Sequence, residues 1–146
     1  MAADSDDLLL ERPTRVKRAG LPDTHGKKRY AAFDTRGKAS PHLEIRCATQ
    51  PSLAPQSRYV MNTIYSAYFD TSFILLYSFM AVKIQGRNLK SVRRALQHGH
   101  CQFIQEFHDK DFLEPLPEEP VITSIEFITG AKLDDILSAY GKQEQK

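Results

Sequence analysis

Over residues 73–107, FILLYSFMAVKIQGRNLKSVRRALQHGHCQFIQEF, the apolar pattern changes period, and few architectures accommodate the change. Before Gln85 the run of Phe73, Ile74, Leu75, Leu76, Tyr77, Phe79, Met80, Val82 and Ile84 is nearly continuous. Aromatic and β-branched types dominate it, as in a strand with little exposed face. From Leu89 the spacing is helical, with Leu89, Val92 and Leu96 at i, i+3 and i+7. Gly86 marks the break, and Asn88 is expected to cap the helix because its side-chain oxygen can accept from a free first-turn amide. Gly99 suits the other end, where a left-handed backbone costs glycine nothing. Beyond it Cys101, Phe103 and Phe107 share one face of a strand, and Gln102, Glu106 and His108 the other. The central unit therefore reads strand, helix, strand.

Flanking segments extend this unit to an α+β domain. Leu43, Ile45 and Cys47 alternate with Glu44, Arg46 and Ala48 in the two-residue period of a half-buried strand. Residues 58–68 read as a second strand, with a helix as the competing reading, reversed at 69–72 into the central run. Residues 121–128 make a last strand, apolar on both faces and so expected inside the sheet. A short helix follows, with Leu133, Ile136, Leu137 and Tyr140 on one stripe and Gly141 at its end. The expected order is β-β-β-α-β-β-α, an antiparallel or mixed sheet of about five strands with a central basic helix and a short C-terminal helix. A small curled β-barrel with an inserted helix is the alternative.

Prolines, glycines and basic clusters mark residues 1–40 as an arm expected to be disordered, since they contain few apolar residues to offset the entropy of ordering. Tyr30 and Phe33 are its candidate docking points. Residues 41–141 form the domain and 142–146 a polar tail. Two cysteines, Cys47 and Cys101, are too few for a disulfide framework, and no signal peptide is recognisable, so a cytoplasmic setting is expected. Residues 59–82 hold a single charge, Asp70. Asn62, Ser66, Thr71 and Ser72 interrupt them as well, and a central Asp costs roughly 2.5–3.5 kcal/mol in a bilayer, which argues against a membrane span.

The formal net charge of +2 conceals a segregation. Positions 12–100 carry sixteen Lys and Arg against four acids, whereas positions 101–146 carry four against ten. With Leu89, Val92 and Leu96 turned inward, Lys90, Arg93 and Arg94 fall on outer or flanking faces, and Arg87 precedes them. These four cations, with Arg15, Lys17, Arg18, Lys27, Lys28 and Arg29 of the arm, are the candidate contacts to a phosphate backbone or an acidic protein surface. Tyr59, Tyr65, Tyr68 and Tyr77 are candidates for stacking on bases. The first expectation is a non-catalytic module binding nucleic acid or another polyanion. The second is a protein-interaction or homo-oligomeric subunit, a homodimer included, using the apolar strands and the C-terminal helix.

No cofactor and no catalytic constellation is expected. His98, His100, Cys101 and His108 are of the types zinc prefers, but the helix end falls inside the cluster and no C-x-x-C or H-E-x-x-H is present. Cys101 follows a helix C-terminus, which disfavours a thiolate. Glu106, Asp109 and Asp111 read as a solvated strand end beside Lys110 rather than an acid–base pair. The piece Val82-Lys83-Ile84-Gln85-Gly86-Arg87-Asn88-Leu89 resembles the strand-end segment of Sm-like RNA-binding barrels, where an Ile-x-Gly pattern precedes a polar residue and a Leu. It covers eight residues, and no site residue is carried over from it.

Overall fold

The computed structural model describes residues 26–141. The apolar run forms two strands, β3 (Ser72–Leu76) and β4 (Ala81–Arg87), where the sequence suggests one. Tyr77 N–H donates to Met80 O at 2.9 Å, and Ser78 and Phe79 stand exposed at the tip. Two-residue hairpin tips usually carry Gly or Asn. This one carries neither, so the sequence gives no signal for it.

β2 (Asn62–Tyr65) pairs antiparallel with β3, Asn62 opposite Leu76 and Tyr65 opposite Phe73, across the reversal expected at 69–72. It is shorter than expected because Ser57–Tyr59 wind a 3-10 turn. β6 (Val121–Ile128) pairs antiparallel with the other side of β4, with a bulge between Gln85 and Gly86. A Cβ at Gly86 would run into the Val121 carbonyl, so glycine is required for this close approach. The resulting order is β2-β3-β4-β6, which leaves β6 at the end of its sheet and not inside it.

β1 (Glu44–Arg46) and β5 (Phe103–Gln105) make a separate two-stranded parallel sheet. Among the described residues the domain is thus α+β, with four antiparallel and two parallel strands in place of one sheet, and no barrel closes. The sheets meet at one corner, where Glu106 bridges Ile122 and Phe107 N–H donates to Ile122 O at 2.7 Å. Within β5 the buried residue is Ile104, while Phe103 lies half-buried under the Arg46 guanidinium, 3.9 Å from its ring centroid. The expected face of β5 is therefore inverted.

The four-stranded sheet carries a helix on each face. α1 (Lys90–Gln97), with Leu89 just before it, buries Leu89 and Val92 in the main core with Phe73, Leu75, Val82 and Ile84. α2 (Gly130–Tyr140) buries Leu133 against Leu76, Ala81 and Ile128, with Ile136 and Leu137 alongside. Tyr140, the last residue of its stripe, is exposed.

Asn88 does not cap α1. It adopts a left-handed conformation, φ 54°, and its Nδ2 donates to the carbonyls of Pro117 and Glu119, leaving Leu89 at the cap position. At the other end Gly99 is left-handed, φ 73°, as expected. Gly99 N–H donates to Leu96 O and His100 N–H to Ala95 O, the paired bonds that satisfy last-turn carbonyls.

Packing begins before residue 41. Tyr30 and Ala32 are buried, Phe33 bridges Ile104, and Asp34 N–H reaches Phe103 O. The anchor is the Tyr30 hydroxyl, which donates to Gln105 O at 2.5 Å and accepts from Ile122 N–H at 3.0 Å. It pins both sheets at their shared corner. Residues 1–25 of the proposed arm and the 142–146 tail lie outside the described residues.

Candidate functional site

The four cations around α1 do not form one strip. Arg87 turns into the structure and donates from Nη2 to Leu116 O at 3.1 Å. Arg93 is only 9% exposed, with its guanidinium 3.8 Å from the centroid of the Tyr65 ring and its Nη1 on Gln97 Oε1. Lys90 and Arg94 remain exposed, but they line a shallow depression together with Asp70 and Glu118, whose charges offset theirs. In the described part of the arm, Lys27 is half-buried, Lys28 is held by backbone bonds to the 111–113 loop, and Arg29 pairs with Glu119 at 2.8 Å. Arg15, Lys17 and Arg18 lie outside the described residues.

The histidines and cysteine named as weak metal candidates do not converge. His98 and His100 are exposed at the end of α1, whereas His108 pairs with Asp111 at 3.5 Å and packs its ring on Phe112. Among the described residues, no group of three or more His, Cys, Asp or Glu side chains is placed to hold a metal ion. Burial pushes the Cys101 thiol up to about 11, and its Sγ donates to Phe103 O at 3.1 Å. Burial thus favours the protonated thiol over the thiolate that a nucleophile requires. Glu106 is held as an acceptor for Ala48 N–H at 3.0 Å, and Asp109 is exposed.

The sheet edges differ more sharply than the charges do. β1 is covered on its outer side by Leu53, which exchanges two backbone bonds with Ile45. β5 is covered on the side away from β1 by residues 32–34, through Gln105 N–H to Ala32 O and Asp34 N–H to Phe103 O. β6 is covered at Ile122 by Phe107 N–H and the Tyr30 hydroxyl and at Ile125 by Gln50 Nε2, which donates to its carbonyl at 2.8 Å, while its Phe127 end takes no hydrogen bond on the outer side among the described residues. Among the described residues, no hydrogen bond reaches the outer side of β2.

Ladder alternation identifies which groups are free. Tyr77 N–H bonds Met80 O and Gly86 N–H bonds Thr71 O, so the odd-numbered residues of β3 face β4. Leu76 and Ile74 therefore face β2, where their partners are Asn62 and Ile64. The N–H and C=O groups of Thr63 and Tyr65 point outward.

Sequence and surroundings leave this edge unguarded. Between Arg58 and Asp70 there is no charge and no proline, the devices that usually protect an open edge. Instead Tyr59, Tyr65, Tyr68 and Phe69 stand 46%, 45%, 90% and 67% exposed at and around it. A groove of about 450 Å³ runs alongside, with Leu43, Val60, Leu75, Leu96 and Cys101 among its apolar lining and Arg58 and His98 among the polar groups. Tyr77, also considered for stacking, is fully buried. The run of uncharged residues from 59 to 69 was the available signal for this site, although the absence of a neighbouring strand is a tertiary fact.

No protein-family model, curated protein or solved structure matches this chain. Among the described residues, the fold and the site define an α+β domain whose β2 edge is open and flanked by exposed aromatics.

Proposed function

We propose that this chain is a non-catalytic protein-interaction module whose working surface is the outer edge of β2. One observation carries the reading: among the described residues the outer side of β2 takes no hydrogen bond anywhere along the strand, and it is uncharged and flanked by exposed aromatics. A partner segment in extended conformation gains main-chain hydrogen bonds from Thr63 and Tyr65, while alternate side chains reach the groove or the aromatic surface. Affinity then comes from strand addition and selectivity from the side-chain contacts.

A library of extended peptides displayed on phage tests this with the chain held dilute on a surface. Enrichment is expected on the native chain and not on a Thr63→Pro variant. Proline there removes an outward N–H and leaves the ladder to β3 intact, because edge strands tolerate proline where the N–H faces solvent. Equal enrichment on both chains counts against the reading.

Binding to nucleic acid or another polyanion is the second reading. It is supported by the bond from Leu89 N–H to Asp70 O, which holds the Tyr68–Phe69 tip next to the start of α1 and its exposed Lys90 and Arg94. Aromatic stacking beside phosphate-binding cations is how single strands are held. Retention on single-stranded oligonucleotide that falls steeply with salt, and falls again in a Lys90→Gln, Arg94→Gln variant, is the outcome this reading requires.

A further inference from the structure

We infer that the segment received by the β2 edge is β2 of a second copy of this chain, so that two four-stranded sheets join across a two-fold axis into one of eight. The inference rests on the interaction reading above and names the partner for the same edge.

The first argument is register. Antiparallel pairing requires that the residues exchanging hydrogen bonds on both strands have outward groups. Thr63 and Tyr65 have them, and Asn62 and Ile64 do not. The pairing that uses all of the free groups places Thr63 opposite Tyr65 of the second copy, Tyr65 opposite its Thr63, and Ile64 opposite its Ile64 on the axis. Four backbone hydrogen bonds result from two short strands.

The second argument is composition. The same register brings the Tyr59–Val60 end of each copy to the Tyr68–Phe69 tip of the other. An edge without charge makes no like-charge contact with itself, whereas a lysine at position 64 would face its own copy across the axis. The Ile64 side chains meet on the face covered by α2, where Ile64 already packs against the Leu76, Ala81, Ile128 and Leu133 cluster.

The third argument is area. At roughly 150–250 Å² per aromatic side chain, the exposed parts of Tyr59, Tyr65, Tyr68 and Phe69 amount to about 400–600 Å² in each copy. Across the two-fold this is about 800–1,200 Å² before strand backbone or groove is included, close to the ~1,200 Å² at the lower end of stable interfaces.

Sedimentation of the full chain over a concentration series tests the inference, with the Thr63→Pro and Ile64→Cys variants beside it. The native chain should pass from monomer to dimer, with little change in high salt. Thr63→Pro should weaken the dimer by about tenfold or more, since each copy loses a bond to its partner. At the axis, non-hydrogen-bonded partners have Cα atoms about 4.5 Å apart, within disulfide range. Mild oxidation should therefore link Ile64→Cys chains into a covalent dimer. Thr63→Cys chains should not link, because position 63 faces Tyr65 of the partner.

The cysteine pair reads register directly, so it decides the matter even where the proline variant folds poorly. A chain that stays monomeric when concentrated, or a dimer in which Thr63→Cys links as readily as Ile64→Cys, overturns the inference. If the monomeric chain still enriches peptides through its β2 edge, the interaction reading stands and only the choice of partner is wrong.

Discussion

Tyr30 has one hydroxyl and two backbone partners in different strands, Gln105 O and Ile122 N–H. Tyr30→Phe keeps the ring against Phe107 and Phe112 but leaves a buried amide unpaired, so unfolding in urea should show a loss of about 1–3 kcal/mol. Burial raises the Tyr30 phenol above its ordinary range, pushes Tyr77 from 10.0 up to about 12, and pushes Cys101 from 9.0 up to about 11. All three favour the protonated form in the folded chain. Their contribution is complete below the unfolded-state values and is lost as pH rises through the folded ones. Thermal unfolding followed by circular dichroism should show stability flat near neutrality with respect to these groups and falling from about pH 9 toward 12. Tyr30 and Arg93 mark the limit of what single residues reveal. Tyr30 lies among prolines, glycines and cations, the composition of an arm, and its anchoring depends on strands more than seventy residues later in the chain. Helical spacing puts Arg93 on a flank of α1, but Tyr65, the ring that covers it, comes from a different hairpin.

The period change at Gly86 located α1, and the stripe of Leu89 and Val92 named its buried face. Leu89→Ala should cost about 2–5 kcal/mol, and Leu96→Ala clearly less, because Leu96 is only half-buried at the groove. Calorimetry of the two variants ranks them. Arg93→Gln should lose about 0.5–2 kcal/mol with the Tyr65 stacking. Lys90→Gln and Arg94→Gln should each stay within about 0.5 kcal/mol of the native chain. This split tests the finding that the four helix-associated cations have different roles. Gly86→Ala should destabilise at the upper end of about 1–3 kcal/mol, since backbone and not a movable side chain blocks the new Cβ. The β3–β4 reversal remained hidden, because Tyr77-Ser78-Phe79-Met80 continues the apolar pattern through the tip. The inverted face of β5 was equally hidden. Phe103 and Ile104 are both apolar, and the Arg46 guanidinium over Phe103 comes from the neighbouring strand.

At the scale of the whole molecule, the α+β class was legible from element order, whereas the division into a four-stranded and a two-stranded sheet was not. Strands of three residues, such as β1 and β5, contain too little pattern to declare their partners. The charge segregation along the sequence also proved a weak guide to the surface. Asp70 and Glu118 line the same depression as Lys90 and Arg94, and Glu119 pairs with Arg29. Along its whole length the outer edge of β2 takes no hydrogen bond from the described residues. Amide hydrogen exchange at Thr63 and Tyr65, followed from dilute to concentrated protein, is the most direct measurement of that claim. Both amides should exchange freely in dilute solution and become protected as association proceeds, while the amides of Asn62 and Ile64 are protected throughout. Protection at Thr63 and Tyr65 that is already complete in the dilute monomer, or that never appears as complexes form, would contradict it.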